Sequence, residues 1–181
     1  MRRVGVLAVS CLLTACAVRT TLPSATPALL QLSPASLGRG LALQQQLRFS
    51  GKGETQSADA LLEVDGEAVR LAIQMAGQSV LRLRWDGKHL QQWRADWLSA
   101  AVQGERVLGD LQLAWWPLSA INAALPPGWR LQPTATGRQL RYGDEIVTDI
   151  RFPTAGQIDI EQHREGFTLT IISLPITDAG S

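Results

Sequence analysis

Cysteine is nearly absent from this 181-residue chain: Cys11 and Cys16 are the only two, both close to the N-terminus. The body of the chain therefore has no disulfide, no thiolate nucleophile and no cysteine metal site, and core packing must hold it. Long apolar runs are missing too. The run from Val4 to Leu13 is about ten residues, whereas a spanning helix needs roughly 20. Neither sign of charge dominates, with 17 Lys and Arg against 16 Asp and Glu. Without Arg2 and Arg3 the balance is 15 basic to 16 acidic residues. Nucleic acid, which demands a basic patch, is not an expected partner. Histidine is limited to His89 and His163, a poor zinc set without cysteine. There is no Gly-x-Ser-x-Gly elbow, and Gly38-Arg39-Gly40 is not followed by a phosphate-loop pattern. Asp and Glu are scattered at turns and wet faces, and read as solvated charges. No catalytic residue, cofactor or metal is assigned, and the chain is not expected to be an enzyme.

What is present starts at the N-terminus. Arg2-Arg3, the short apolar run and then Leu13-Thr14-Ala15-Cys16 form a bacterial secretion signal of the lipoprotein type. The pattern resembles the lipobox read by the lipoprotein signal peptidase. That resemblance implies cleavage before Cys16, a diacylglycerol on its sulfur and an acyl chain on its amino group. One chain binds a membrane only marginally, at about 0.8 kcal/mol per buried methylene, and three together make release negligible. Ala17 is not acidic, which in enteric-type sorting implies the outer membrane, with the domain facing the periplasm. Residues 1–15 are thus assigned as the signal and 16–36 as a lipidated tether carrying Pro23, Pro27 and Pro34. A stretch of the tether around Leu29 to Leu32 is a candidate to pack on the domain. Residues 37–176 are assigned as one domain and 177–181 as a tail.

From Leu41 the pattern has period two. Leu41, Leu43, Leu47 and Phe49 form one face of a first strand, and Leu62 and Val64 end a second at Asp65-Gly66, a hairpin signal. Val69, Leu71, Ile73 and Met75 alternate with Arg70, Ala72 and Gln74. After Gly77-Gln78, Leu81, Leu83 and Trp85 alternate with Val80, Arg82 and Arg84. A weaker strand runs from His89 to Arg94. Val107, Leu108, Leu111 and Trp115 then fall on one helical face, and a second short helix spans Leu118 to Leu125 before Pro126-Pro127-Gly128. Strands resume at Trp129–Gln132, Gln139–Tyr142, Glu145–Phe152, Gln157–Gln162 and Phe167–Leu174. The fold class is α+β, mainly β. About five strands, a helical insert and about five more make a curved antiparallel sheet, expected as an open, unclosed β-barrel with a helical plug. Its apolar face must be covered: either the sheet closes into a filled barrel, or it stays open around an apolar hollow.

Leu62-Glu63-Val64-Asp65, Arg84-Trp85-Asp86-Gly87, the stretch from Arg106 to Pro117 that ends Trp115-Trp116-Pro117, and Leu125-Pro126-Pro127-Gly128-Trp129 resemble the bacterial lipoprotein family catalogued as domain of unknown function 3261. The likeness covers about Leu37 to Leu174. It implies a small outer-membrane lipoprotein, with some relatives in gene clusters for aryl-polyene lipids. The strand-helix-strand order is also similar to the periplasmic lipoprotein carrier and its outer-membrane receptor, the Lol type. Those have an open barrel with a cavity for acyl chains, and lipoprotein-sorting machinery is the implied partner.

Cys16 is the lipidation site. The candidate cavity lining is Leu71, Ile73, Met75, Leu81, Leu83, Trp85, Trp115, Ile146, Ile150, Ile160, Leu169 and Ile171, a set equally able to form a dry core. Trp115, Trp116 and Trp129 are candidates either to gate a mouth or to clamp the helix. Trp97-Leu98 would dip into a membrane or fold over the barrel end. The expected function is binding or transfer of a lipid or acyl ligand. The alternative is a tethered scaffold with a filled barrel, using Arg70, Arg82 and Arg84 against a partner protein.

Overall fold

The structure, a computed structural model, describes residues 30–99 and 102–176. Cys16, the signal, most of the tether and the tail lie outside these residues. Two hairpin-linked runs of strands form the body. The first comprises β1 (Leu41–Gly51), β2 (Glu54–Val64), β3 (Val69–Met75), β4 (Gln78–Trp85) and β5 (Leu90–Arg94). The second comprises β6 (Trp129–Pro133), β7 (Gly137–Tyr142), β8 (Glu145–Arg151), β9 (Gln157–Gln162) and β10 (Phe167–Pro175). Between them lie α1 (Gly104–Trp115) and α2 (Leu118–Ala124).

Short turns explain the local pairing. Asp65 bends the β2–β3 hairpin by accepting from the backbone of Glu67 and Ala68, both at 2.7 Å. Asp86 does the same after β4 with Lys88 and His89. Such Asx turns are why Asp precedes Gly at these bends. The halves then meet through the first and last strands. β1 pairs antiparallel with both β2 and β10, giving one ten-stranded sheet in the order β5-β4-β3-β2-β1-β10-β9-β8-β7-β6. β5 and β6 are its two edges and are not paired with each other, so the barrel is open. This is the arrangement that the Lol-type resemblance implied.

The helical insert crosses that gap and protects both edges. Gln92 of β5 accepts from the Gly104 backbone N–H at 2.9 Å and donates to Glu105, which satisfies the start of α1. Asn122 of α2 clasps Leu131 of β6 through both its backbone N–H and its carbonyl. Arg138 of β7 donates to the Leu113 and Trp116 carbonyls at the end of α1, where a cation is favoured. All residues from Leu108 to Ala114 are buried. α1 is therefore an enclosed plug rather than a helix with one wet face.

One end of the barrel is filled by buried side chains. Leu30, Leu32 and Leu37 are buried there with Trp85 and Trp116, so the core already includes Leu30. The Trp85 indole donates to the Leu32 carbonyl at 2.8 Å, and that of Trp116 to the Ser33 carbonyl and the Ser36 hydroxyl. Both indole donors are thus satisfied inside the core.

Two bulges depart from simple alternation. Ile73 pairs with Leu81 but Gln74 with Ser79, which leaves Val80 as an extra residue. Val80, expected on the wet face, is buried instead. Leu140 pairs with Thr148 but Arg141 with Ile146, which leaves Val147 as the extra residue. Thr148 and Ile150 consequently point inward, while Ile146 is half-buried and outside the main core.

Candidate functional site: an apolar cavity under the plug

At the other end the inner face of the sheet diverges from α1 and leaves a cavity of about 670 Å³. Its floor is apolar: Leu71, Ile73 and Met75 of β3, Val80 and Leu81 of β4, and Ile160, Leu169 and Ile171 of β9 and β10. Leu47 and Ala58 join these from β1 and β2, while Leu98, Val102, Val107 and Leu111 form the roof. The exposed Lys52, Glu54 and Gln56 also stand on its boundary, so it opens to solvent at the β1–β2 turn. Phe49 and Phe167 meet at that mouth with ring centroids 4.8 Å apart.

Seven of the expected lining residues are there: Leu71, Ile73, Met75, Leu81, Ile160, Leu169 and Ile171. Leu83, Trp85 and Ile150 point inward but belong to the packed core and not to the cavity. Ile146 is diverted by the bulge beside it. Trp115 is also corrected: it lies outside the cavity, half-buried, with the Arg39 guanidinium 5.8 Å from its ring. The helix ends there, and Trp116 turns into the core in its place. None of the three tryptophans considered as a gate lines the cavity. Trp116 clamps the plug, and Trp129 packs beside Tyr142 and under Arg164. Trp97-Leu98 splits: Leu98 folds over the cavity while Trp97 is 60% exposed.

On the outer face, Arg70 pairs with Asp65 at 2.7 Å and Arg84 with Asp86 at 3.7 Å. Arg82 donates to Ser79 and lies over the Trp93 ring. His89 faces Asp86, and His163 meets Asp149 at 2.8 Å. Among the described residues no group of three His, Cys, Asp or Glu side chains is placed to hold a metal ion. No described helix is long and apolar enough to cross a membrane.

Two polar residues of the cavity wall, Gln45 and Asp110, are buried. Gln45, buried on β1, donates to the Ser173 hydroxyl at 3.0 Å. Asp110 of α1 is the more consequential, and it departs from the expectation that carboxylates here are solvated: it is only 9% exposed. Thr148 donates to the Gln162 carbonyl oxygen at 2.7 Å, and the Gln162 amide donates to Asp110 Oδ1 at 2.9 Å. Burial pushes the Asp110 carboxyl up to about 7; the Arg106 guanidinium one turn earlier opposes the rise, Glu165 adds to it, and the Gln162 amide works against it. Arg106 is itself ion-paired with Glu165 and lies over the Phe167 ring at the mouth. A lone acid among Leu108, Leu111 and Leu113 was the available sequence signal, but helical spacing alone does not tell a wet position from an enclosed one.

The described residues thus form an open antiparallel barrel, plugged by a helix and hollow on one side. The chain belongs to the family described as "Protein of unknown function (DUF3261)", whose model matches residues 42–175. A comparison with curated proteins returns no match. Among solved structures the chain is similar to a DUF1329 family protein from Desulfovibrio piger at 13% identity and a TM-score of 0.41, with 86% of this chain and 95% of that one covered.

Proposed function

We propose that this chain is a lipoprotein of the outer membrane, anchored through Cys16 and facing the periplasm, whose open barrel binds or hands over an acyl lipid. The observation that carries the reading is the cavity of about 670 Å³ between the sheet and α1. That size lies within the roughly 300–1,000 Å³ of ligand-binding pockets. A chain slid into it gains about 25 cal/mol per Å² of apolar surface buried. Such binding needs no bond chemistry, and the direction of transfer follows relative burial in donor and acceptor. On this reading the protein is not an enzyme.

Strand polarity supports an orientation as well. The mouth lies at the β1–β2 turn, whereas Leu30 and Leu32 pack at the opposite end, beside Trp85. The tether thus joins the closed end, and the mouth points away from it. A tethered scaffold with a filled barrel has less support, because the hollow is what it requires to be absent.

Native mass spectrometry of the full chain purified from its host tests the reading. A co-purified lipid is expected, together with a triacylated N-terminal Cys16 peptide after digestion. An empty barrel that also fails to take up added monopalmitoylglycerol would sink it.

A further inference from the structure

The reading above accounts for an apolar guest but not for a carboxyl group in the cavity wall. Resting on that reading, we propose that Asp110 is a specificity-determining residue that accepts a hydrogen bond from a hydroxyl group on the guest. The barrel thereby selects acyl chains with an uncharged donor over bare or anionic ones.

The geometry holds the carboxyl ready. The carbonyl oxygen of Gln162 is occupied by the Thr148 hydroxyl, so its amide is turned to donate to Asp110 Oδ1. Both partners are buried, and Asp110 still borders the cavity. An apolar residue at this helix position would fill the wall without the cost of burying a carboxyl. Asp110 sits one helical turn, roughly 6 Å, inward of Arg106 at the mouth. A hydroxyl near the head of a chain reaches that depth while the tail lies along Leu71, Ile73, Leu81 and Ile171.

The charges around it disfavour an anionic head. Arg106 is ion-paired with Glu165. Above about pH 7, where Asp110 is ionised, two carboxylates, Asp110 and Glu165, therefore border the cavity against one committed guanidinium. Lys52 stands farther out, exposed in the β1–β2 turn, with Glu54 at the start of β2. A hydroxyl is a donor without charge and meets no such repulsion.

The test is competition for the full chain at about pH 8, where Asp110 is ionised, read by native mass spectrometry from detergent micelles. The competitors are 1-monopalmitoylglycerol, methyl palmitate and palmitate at equal concentration. They share one acyl chain and differ in the head. Wild type is expected to hold monopalmitoylglycerol at least tenfold over the other two. Asp110→Leu is expected to lose this preference while still taking methyl palmitate. Asp110→Asn, nearly the same shape, covers a folding failure of the first variant: it retains an acceptor but should lose discrimination against palmitate. Equal occupancy by all three in wild type, or an unchanged preference in both variants, overturns the role of Asp110. Absence of all three from wild type overturns the lipid reading and this inference with it.

Discussion

The two ends of this barrel use the same kind of residue for opposite purposes. At the closed end Leu30, Leu32, Trp85 and Trp116 interlock, and the indole donors are taken up by the incoming chain. At the open end Leu71, Ile73, Leu81 and Ile171 stand on the same sheet with similar chemistry, yet border empty space. The difference lies in what faces them. Residues 30–37 and the end of α1 fill the first end, while only the first turns of α1 with Leu98, Ser99 and Val102 roof the second. Stability is expected to concentrate in one half and ligand exchange in the other.

The sharpest way to break that contrast is to cut into the closed end. Trp116→Ala is expected to cost about 3–5 kcal/mol, read as a lower urea midpoint. Ile73→Ala, beside a space that already exists, should fall near the low end of the roughly 2–5 kcal/mol range for such truncations. If the two cost the same, the proposed division of labour fails.

Next in size is filling the hollow. Ala58→Trp, on the cavity floor, should weaken lipid uptake tenfold or more, about 1.4 kcal/mol. Because it enters open space, it should leave the urea midpoint nearly unchanged. A large loss of stability would instead mean that the space is not there to receive the ring.

pH sharpens the comparison further. Asp110 has a folded-state pKa of about 7, above its ordinary value of 3.8. Between these values the folded state binds more protons than the unfolded one. Its contribution to stability is therefore complete below about pH 4 and is lost as pH rises through about 7. Unfolding curves across this window should show stability falling with rising pH, and Asp110→Asn should flatten that slope. The smallest effect is expected at the exposed β2–β3 turn. Asp65→Ala removes the contacts to Glu67, Ala68 and Arg70, yet should shift the urea midpoint less than any core truncation above.

Much of the fold was legible because the sheet is antiparallel with one wet face. Period-two alternation and Asp-Gly turns mark β1 to β4 directly, and the break around Leu108 marks the insert. The bulges were not legible. Val80 and Val147 are extra residues only relative to a partner strand, and each changes which neighbours point inward. Trp115 misses the cavity for a related reason: the helix stops after it, and Trp116 beyond that end follows the core. For the site, seven floor residues followed from alternation. Val107, Leu111 and Asp110 did not, because they line the roof and their burial depends on how α1 seats.

The order of side chains along the strand by itself determined the alternating faces, the hairpins and the helical interruption, since these follow from local periodicity and turn chemistry. Only the tertiary structure decided that β1 joins β10 while β5 and β6 stay apart, that one end is filled and the other hollow, and that Asp110 is shut in beside the space. Empty volume belongs to surfaces far apart in the chain, and no local pattern records how closely they approach.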